Sequence, residues 1–403
     1  MHPDENGGLP VRFAGFATMI REYVVRSADL KIEKIETWLV ERWLAVRVTT
    51  EDGTQGIGEG TFWSYAGSAE GVVTALASDL RGTEAGNIEH IWNAMYRKYS
   101  FRSAAITSAL SAIDMALWDI KGKRYHAPVW DLLGGRVREK VRAIALLSGG
   151  ATPDDFVKSA LKAKKRGFTA GKMTPFPPNW SKLPYSELIR QNTAIVAAVR
   201  EAVGWDFDIG IEVHRNMQPA EAEVFAQQIE KFLPYFYEDP IAPDSVMSMG
   251  DVASRIRLPL AIGERNTTIW EFREYCGLKG VAFLKPDIGM AGGITHVKKI
   301  AAIAESFHQR ILPHNFLGPV TTMACIQLAA ATPNWDVQEL VLDEDSGRGD
   351  LVKKPIEYKD GFLTIPETPG IGLEFNTAAF SKRPYVVGAG DQSRRTDGSV
   401  ALR

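Results

Sequence analysis

Six polar residues, Glu212, Glu238, Glu264, Asp287, His314 and Glu339, follow one another at steps of 26, 26, 23, 27 and 25 residues, each closing a short apolar run. One strand, one helix and their connections occupy about that length, so each residue falls at the same height on successive strands. Two earlier runs, VRAIALLS from Val141 and FTAGKMT, carry the series back to Lys172. Eight strands with seven intervening helices in about 200 residues point to a (β/α)8-type barrel. Alternation alone leaves an open doubly wound sheet as the competing arrangement. No G-x-G-x-x-G follows the first run, and Gly56-Ile57-Gly58-Glu59-Gly60 lies in a β-hairpin region, so dinucleotide binding has no support.

In a barrel these strand ends converge on one mouth, where active sites form. Three carboxylates on neighbouring strands make a hard oxygen site suited to Mg2+. A single acid after a strand is ordinarily a helix cap. A run of consecutive strands all ending in polar groups is not explained by capping. Of the seven histidines, His2, His90, His126, His296 and His308 read as structural or solvated, whereas His214 and His314 sit among the carboxylates.

Residues 31–60 read as antiparallel β structure, with a very short connection at Glu41-Arg42 and a turn at Glu51-Asp52-Gly53-Thr54. Helical patterns follow, clearest over Ala105–Tyr125. Thr152-Pro153-Asp154-Asp155 starts a helix expected to turn Val157, Ala160 and Leu161 inward and Lys158, Lys162 and Lys165 outward. The 47 basic and 49 acidic residues nearly cancel, leaving no electrostatic footprint for nucleic acid or an anionic membrane. Cys276 and Cys325 cannot build a disulfide framework. No apolar run reaches the ~18 residues of a membrane span, and the N-terminus lacks the pattern of a signal peptide, so a cytoplasmic protein is expected.

The chain resembles the enolase superfamily, in its mandelate racemase-like branch and nearest to the galactonate dehydratase type of acid-sugar dehydratase. The likeness is carried by Tyr237-Glu238-Asp239-Pro240, Ala261-Ile262-Gly263-Glu264-Arg265, Lys285-Pro286-Asp287-Ile288-Gly289 with Ala291-Gly292-Gly293-Ile294-Thr295, and Pro313-His314-Asn315-Phe316-Leu317-Gly318-Pro319. Asp114-Met115-Ala116-Leu117-Trp118-Asp119-Ile120-Lys121-Gly122-Lys123 and Leu132-Leu133-Gly134-Gly135 also fit.

The resemblance implies an α/β fold, a modified TIM barrel (β/α)7β with an α+β capping domain formed by the N-terminal region and the C-terminal segment. The expected division is an extension over 1–30, the cap over 31–138, the barrel over 139–350, a returning segment over 351–387 and a disordered tail over 388–403. It further implies Mg2+ on Glu212, Glu238 and Glu264, and abstraction of a proton α to a carboxylate to give a metal-stabilised enediolate. His314 is the implied base and Asp287 its orienting partner. Glu339 and Lys172 are implied on the substrate carboxylate, Glu339 as a hydrogen-bonding group in its protonated form. His214 is the implied acid for a departing 3-hydroxyl. The product would be a 2-keto-3-deoxy acid made from an aldonate such as galactonate or gluconate.

Departures from the family narrow this. Racemases of the group resemble Lys-x-Lys on the second strand, and here Lys172-Met173-Thr174 lacks the second lysine. Racemisation or epimerisation of a 2-hydroxy acid is the second reading, and a non-catalytic homologue that binds metal and acid sugar the third. Glu212 stands where the family usually has Asp, and Lys285 where Gln is common; Lys285 is read as part of a barrel-lining charge pair. Phe62, Trp63 and Tyr65, on a capping loop, are candidate substrate contacts. The expected partners are a small-molecule sugar acid and further copies of the chain in a homo-oligomer, with no nucleic acid and no membrane.

Overall fold

The computed structural model describes residues 30–63, 65–98, 102–316, 318–341, 347–387 and 392–401. The N-terminal extension, apart from Leu30, lies outside them. Strands β1 (Ile32–Val40) and β2 (Trp43–Thr50) pair antiparallel across Glu41-Arg42, and β3 (Gln55–Glu59) pairs with β2. Glu41 takes the left-handed conformation that a two-residue hairpin demands. Helices α1 (Ala66–Leu80) and α3 (Ala104–Arg124) bury their apolar faces against this sheet, α2 (Ile88–Lys98) packs on α3 within the same core, and a short turn α4 (Val129–Leu132) leads out of the cap.

Eight parallel strands follow: β4 (Lys140–Leu146), β5 (Ala170–Met173), β6 (Asp208–Glu212), β7 (Phe236–Glu238), β8 (Leu260–Ile262), β9 (Val281–Leu284), β10 (Arg310–Ile311) and β11 (Gln338–Leu340). They pair in chain order from β4 to β10, and β11 pairs with β4. A parallel bridge joins Ile311 of β10 to Trp335, three residues before β11, and with β11 paired to β4 the sheet closes and the open alternative is excluded. The helices between them are α5 (Pro153–Lys165), α6 (Tyr185–Val203), α7 (Pro219–Ile229), α8 (Val246–Ala253), α9 (Ile269–Cys276), α10 (Gly293–Ser306) and α11 (Pro319–Ala330). This is the (β/α)7β arrangement.

Helix α5 begins as expected, with Thr152 and Asp155 in a capping box. Its inward face differs from expectation: Phe156, Ala160 and Ala163 are buried and Leu161 is 44% exposed. Phe156 at i and Ala163 at i+7 fix the centre of the apolar stripe, and Leu161 lies off it.

The C-terminal segment first adds the hairpin β12 (Tyr358–Lys359) and β13 (Phe362–Thr364) antiparallel to β4. It then returns to the cap. Asp119 on α3 accepts hydrogen bonds from Ile57 N at 3.0 Å and Ile371 N at 2.8 Å, tying cap sheet, cap helix and C-terminal segment at one carboxylate. A last short helix, α12 (Thr377–Phe380), brings Phe380 edge-on to Trp38 of β1.

Residues 392–401, within the stretch expected to be a disordered tail, form a tight turn. Gly398 N bonds Arg395 O at 3.0 Å, Asp397 accepts from Ser399 N at 2.9 Å, and Arg394 O accepts from Ser181 Oγ at 3.0 Å. Asp397-Gly398 is the turn pair, with Gly398 at φ +85°. Among the described residues no helix is long and apolar enough to cross a membrane.

Inside the barrel, Ile144, Ala170, Phe236, Ala261, Phe283, Leu312 and Val337 form a separate apolar layer. Side chains alternate along a strand with period two, so the next inward positions stand one layer higher. Those positions are Lys172, Glu238, Lys285, His314 and Glu339, each two residues beyond a member of the apolar layer. The polar layer at the mouth is thus a direct consequence of the pleat.

Candidate active site at the barrel mouth

Glu212, Glu238 and Glu264 end adjacent strands, are 3%, 0% and 2% exposed, and bring one carboxylate oxygen each within 4.8 Å of the others. Three buried carboxylates repel one another and require cations. Lys172 Nζ lies 3.2 Å from Glu212 Oε2, 3.1 Å from Glu238 Oε1 and 2.6 Å from Glu339 Oε1. Lys285 Nζ lies 3.1 Å from Glu238 Oε1 and 2.5 Å from Glu339 Oε1. Lys285 is therefore a member of a barrel-lining charge cluster.

Glu339 is fully engaged as a carboxylate. Oε1 takes both ammonium groups, and Oε2 accepts Asn315 N at 2.9 Å. Burial pushes its carboxyl up, but Lys172 and Lys285 outweigh that and hold it down to about 2. It is thus ionised here, in contrast to the protonated form expected from the sequence.

The second oxygen of Glu238 is buried and finds no hydrogen-bond partner among the described residues. A fully buried carboxylate oxygen with a free lone pair, beside two further carboxylates, is a donor set that fits a hard divalent cation. The group that would occupy it is bound through oxygen alone, which suits Mg2+ chemistry.

His314 stands beside this cluster. Its Nδ1 is 2.7 Å from Asp287 Oδ2, and Asp287 Oδ1 accepts Gly289 N at 2.8 Å. With Asp287 ionised, Nδ1 carries the hydrogen and Nε2 is left as the acceptor. Nε2 lies 3.9 Å from Glu264 Oε2. Burial lowers the basicity of the ring, but Glu264, Asp287 and Glu339 more than restore it.

His214 adopts a left-handed conformation, φ +55°, and its backbone N donates to Glu212 Oε1 at 2.7 Å. Burial, then Arg215, pushes its imidazole down to about 4. Of the three capping-loop aromatics, Trp63 stacks on the His314 ring. Phe62 packs on the cap core and lies 5.5 Å from Tyr65, which is 56% exposed.

Arg215 was not anticipated. It is 1% exposed and takes a left-handed φ of +64° directly after His214. Its guanidinium donates to Glu264 Oε1 at 2.6 Å and to Asp239 Oδ2. Burial would lower its pKa, but Glu264 and Asp239 outweigh that, so it is a permanent cation against the third carboxylate of the triad. The sequence offered one signal, a basic residue immediately past a strand end in the polar series.

The family described as Enolase C-terminal domain-like matches residues 155–379, and the mandelate racemase/muconate lactonizing enzyme N-terminal domain matches residues 19–134. The chain is 31% identical to a "putative dehydratase protein" from Salmonella enterica serovar Typhimurium, with 88% of this chain and 98% of that one covered and a TM-score of 0.84. It is 30% identical to a "putative dehydratase" from Zymomonas mobilis, covering 89% and 99%, with a TM-score of 0.83. An enolase described as a "putative galactarate dehydratase" from Agrobacterium radiobacter, with bound sodium and L-malate, is 27% identical over 93% of this chain and 100% of that one, with a TM-score of 0.87.

Proposed function

The chain belongs to the enolase superfamily, in its mandelate racemase and muconate lactonizing enzyme branch, and from that membership we propose that it dehydrates a sugar acid to a 2-keto-3-deoxy acid. The substrate class is an aldonate such as galactonate or gluconate. The observation that carries the reading is the His314–Asp287 pair, with Nε2 turned toward the carboxylate triad 3.9 Å from Glu264. A proton beside a carboxylate is very weakly acidic, and its removal needs an oriented base next to fixed positive charge in a dry site. All three of the similar proteins named above carry the description of "putative" dehydratases, which supports elimination over other chemistry of the family.

Mg2+ held by Glu212, Glu238 and Glu264 would supply the positive charge that lets the substrate carboxylate take up a second negative charge. Lys172 donates hydrogen bonds to that carboxylate. Glu339, with Oε1 on both lysines and Oε2 on Asn315 N, acts as the counter-ion that holds Lys172 in place. His314 Nε2 takes the C2 proton, the C–H electron pair becomes a C2–C3 double bond, and the C3–O bond breaks. The departing hydroxyl takes a proton, for which His214 is the donor, and leaves as water; the enol then becomes the 2-keto acid. Near neutral pH the His214 ring is neutral, so it donates from one ring nitrogen while the other takes up a proton from solvent.

The test is a screen of purified protein with Mg2+ against a stereochemically complete set of aldonates and aldarates, detecting 2-keto-3-deoxy products as semicarbazones. Product from one or a few stereoisomers is expected. No product from any acid, in protein that binds Mg2+, would reject dehydration in favour of epimerisation or binding without turnover.

A further inference from the structure

Helices α10 and α11 follow the two loops that carry Asp287 and His314, and each is preceded by a glycine with no side chain to cap its free N–H groups. The cap domain supplies the missing acceptors. Glu59, at the end of β3, accepts Gly318 N at 2.6 Å and Thr321 N at 3.3 Å in the first turn of α11. Asp114, on α3, accepts Thr295 N at 3.0 Å in the first turn of α10. Both carboxylates are buried, 3% and 0% exposed.

Glycine is needed at these contacts for space. A Cβ at Gly318 would stand 2.5 Å from Glu59 Oε2, and one at Gly293 would stand 2.5 Å from Asp114 Oδ2. Contacts continue from each cap to the pair itself. Thr322, next to Thr321, accepts Asn315 Nδ2 at 2.9 Å, and Asn315 adjoins His314. On the other side, Gly292 N donates to Ser111 Oγ at 2.9 Å and Trp92 Nε1 donates to Gly292 O at 2.8 Å. Ala291 N closes the turn onto Asp287 O at 2.7 Å.

We propose that Glu59 and Asp114 are positioning residues for the His314–Asp287 pair: two cap-domain carboxylates that cap barrel helices in trans, so that docking of the cap sets the geometry of the base. The proposal deepens the functional reading above and rests on it for its kinetic consequence, but its structural content is independent of any substrate. It gives the cap a role besides contact with substrate, because each partner of the pair is held from above by a different cap element.

The test uses full-length protein with 13C-labelled histidine, following the His314 ring resonance, assigned by its loss in His314→Asn. Glu59→Ala and Asp114→Ala should each move and broaden that resonance while the His126 signal stays in place. Asp114→Asn keeps the oxygen that accepts Thr295 N and should restore the wild-type position, and Glu59→Gln keeps the acceptor for Gly318 N but not the one for Thr321 N and should restore it in part. Gly318→Ala, which keeps the carboxylate but crowds it, should move the signal as well. On a dehydrated substrate, Glu59→Ala should lower kcat by about a hundredfold with KM unchanged, the loss expected for a reacting group displaced by about 1 Å. A His314 resonance that stays put in all folded variants, even where melting temperature drops, overturns the proposal. A resonance that moves in protein that dehydrates no sugar acid leaves the positioning role standing and rejects the functional reading alone.

Discussion

Trp63 and His314 stack nearly face to face, their ring centroids 4.9 Å apart and their planes inclined by 19°. The indole comes from the cap and the imidazole from the barrel, and Trp63 takes a left-handed φ of +46° to make the contact. Asp287 holds the imidazole at one nitrogen, which still permits tilt about that bond. The indole removes the tilt by covering a face of the ring. Trp63→Leu should therefore lower kcat by about tenfold or more through loss of orientation, and Trp63→Phe should recover most of it. Steady-state kinetics on the dehydrated acid would check this; a change confined to KM would make Trp63 a substrate contact and nothing more.

The two histidines should separate when mutated. His214→Asn is expected to block elimination while leaving exchange of the C2 proton with deuterated water, followed by proton NMR. Full dehydration activity in that variant would remove His214 as the proton donor.

Glu238 contributes to the triad a buried oxygen that has no partner among the described residues. Glu238→Gln should weaken Mg2+ binding by at least about tenfold, since even outer-shell groups at metal sites are worth that much. Isothermal titration with Mg2+ alone gives the answer, and unchanged affinity would undo the ligand assignment. Removing the metal by dialysis against a chelator should abolish turnover, with recovery on adding Mg2+.

Burial outweighs the hydrogen bonds from Thr295 and raises the Asp114 carboxyl to about 7. The folded protein therefore holds this proton more tightly than the unfolded chain. That contribution to stability is fully present below about pH 4 and is lost as pH rises toward 7, on the order of 4 kcal/mol for a shift of this size. Asp114→Asn removes the titration. Relative to wild type, the variant should gain stability between pH 4 and pH 8 in urea unfolding; a constant difference across that range would contradict the account.

The barrel and its polar layer were legible because both obey short periods. A step of two residues separates Leu312 from His314 and Val337 from Glu339, and a step near 25 residues separates one strand end from the next. What escaped the sequence depends on contacts between distant segments. Glu59 and Gly318 are 259 residues apart, and no periodicity says which loop a buried cap acid will meet. Arg215 was hidden for a related reason: it points inward because two successive residues take left-handed backbone, which a polar stretch does not advertise. In the tail, Asp397-Gly398 was a turn signal outweighed by the overall polarity of the stretch.

The central claim is that His314 removes the C2 proton of a sugar acid. The direct measurement is proton NMR in deuterated water with Mg2+ and the acid turned over in the screen, comparing wild type with His314→Asn. Wild type should give the 2-keto-3-deoxy product with deuterium at C3, and the variant neither product nor exchange at C2. Dehydration or exchange by folded His314→Asn at the wild-type rate would contradict the account.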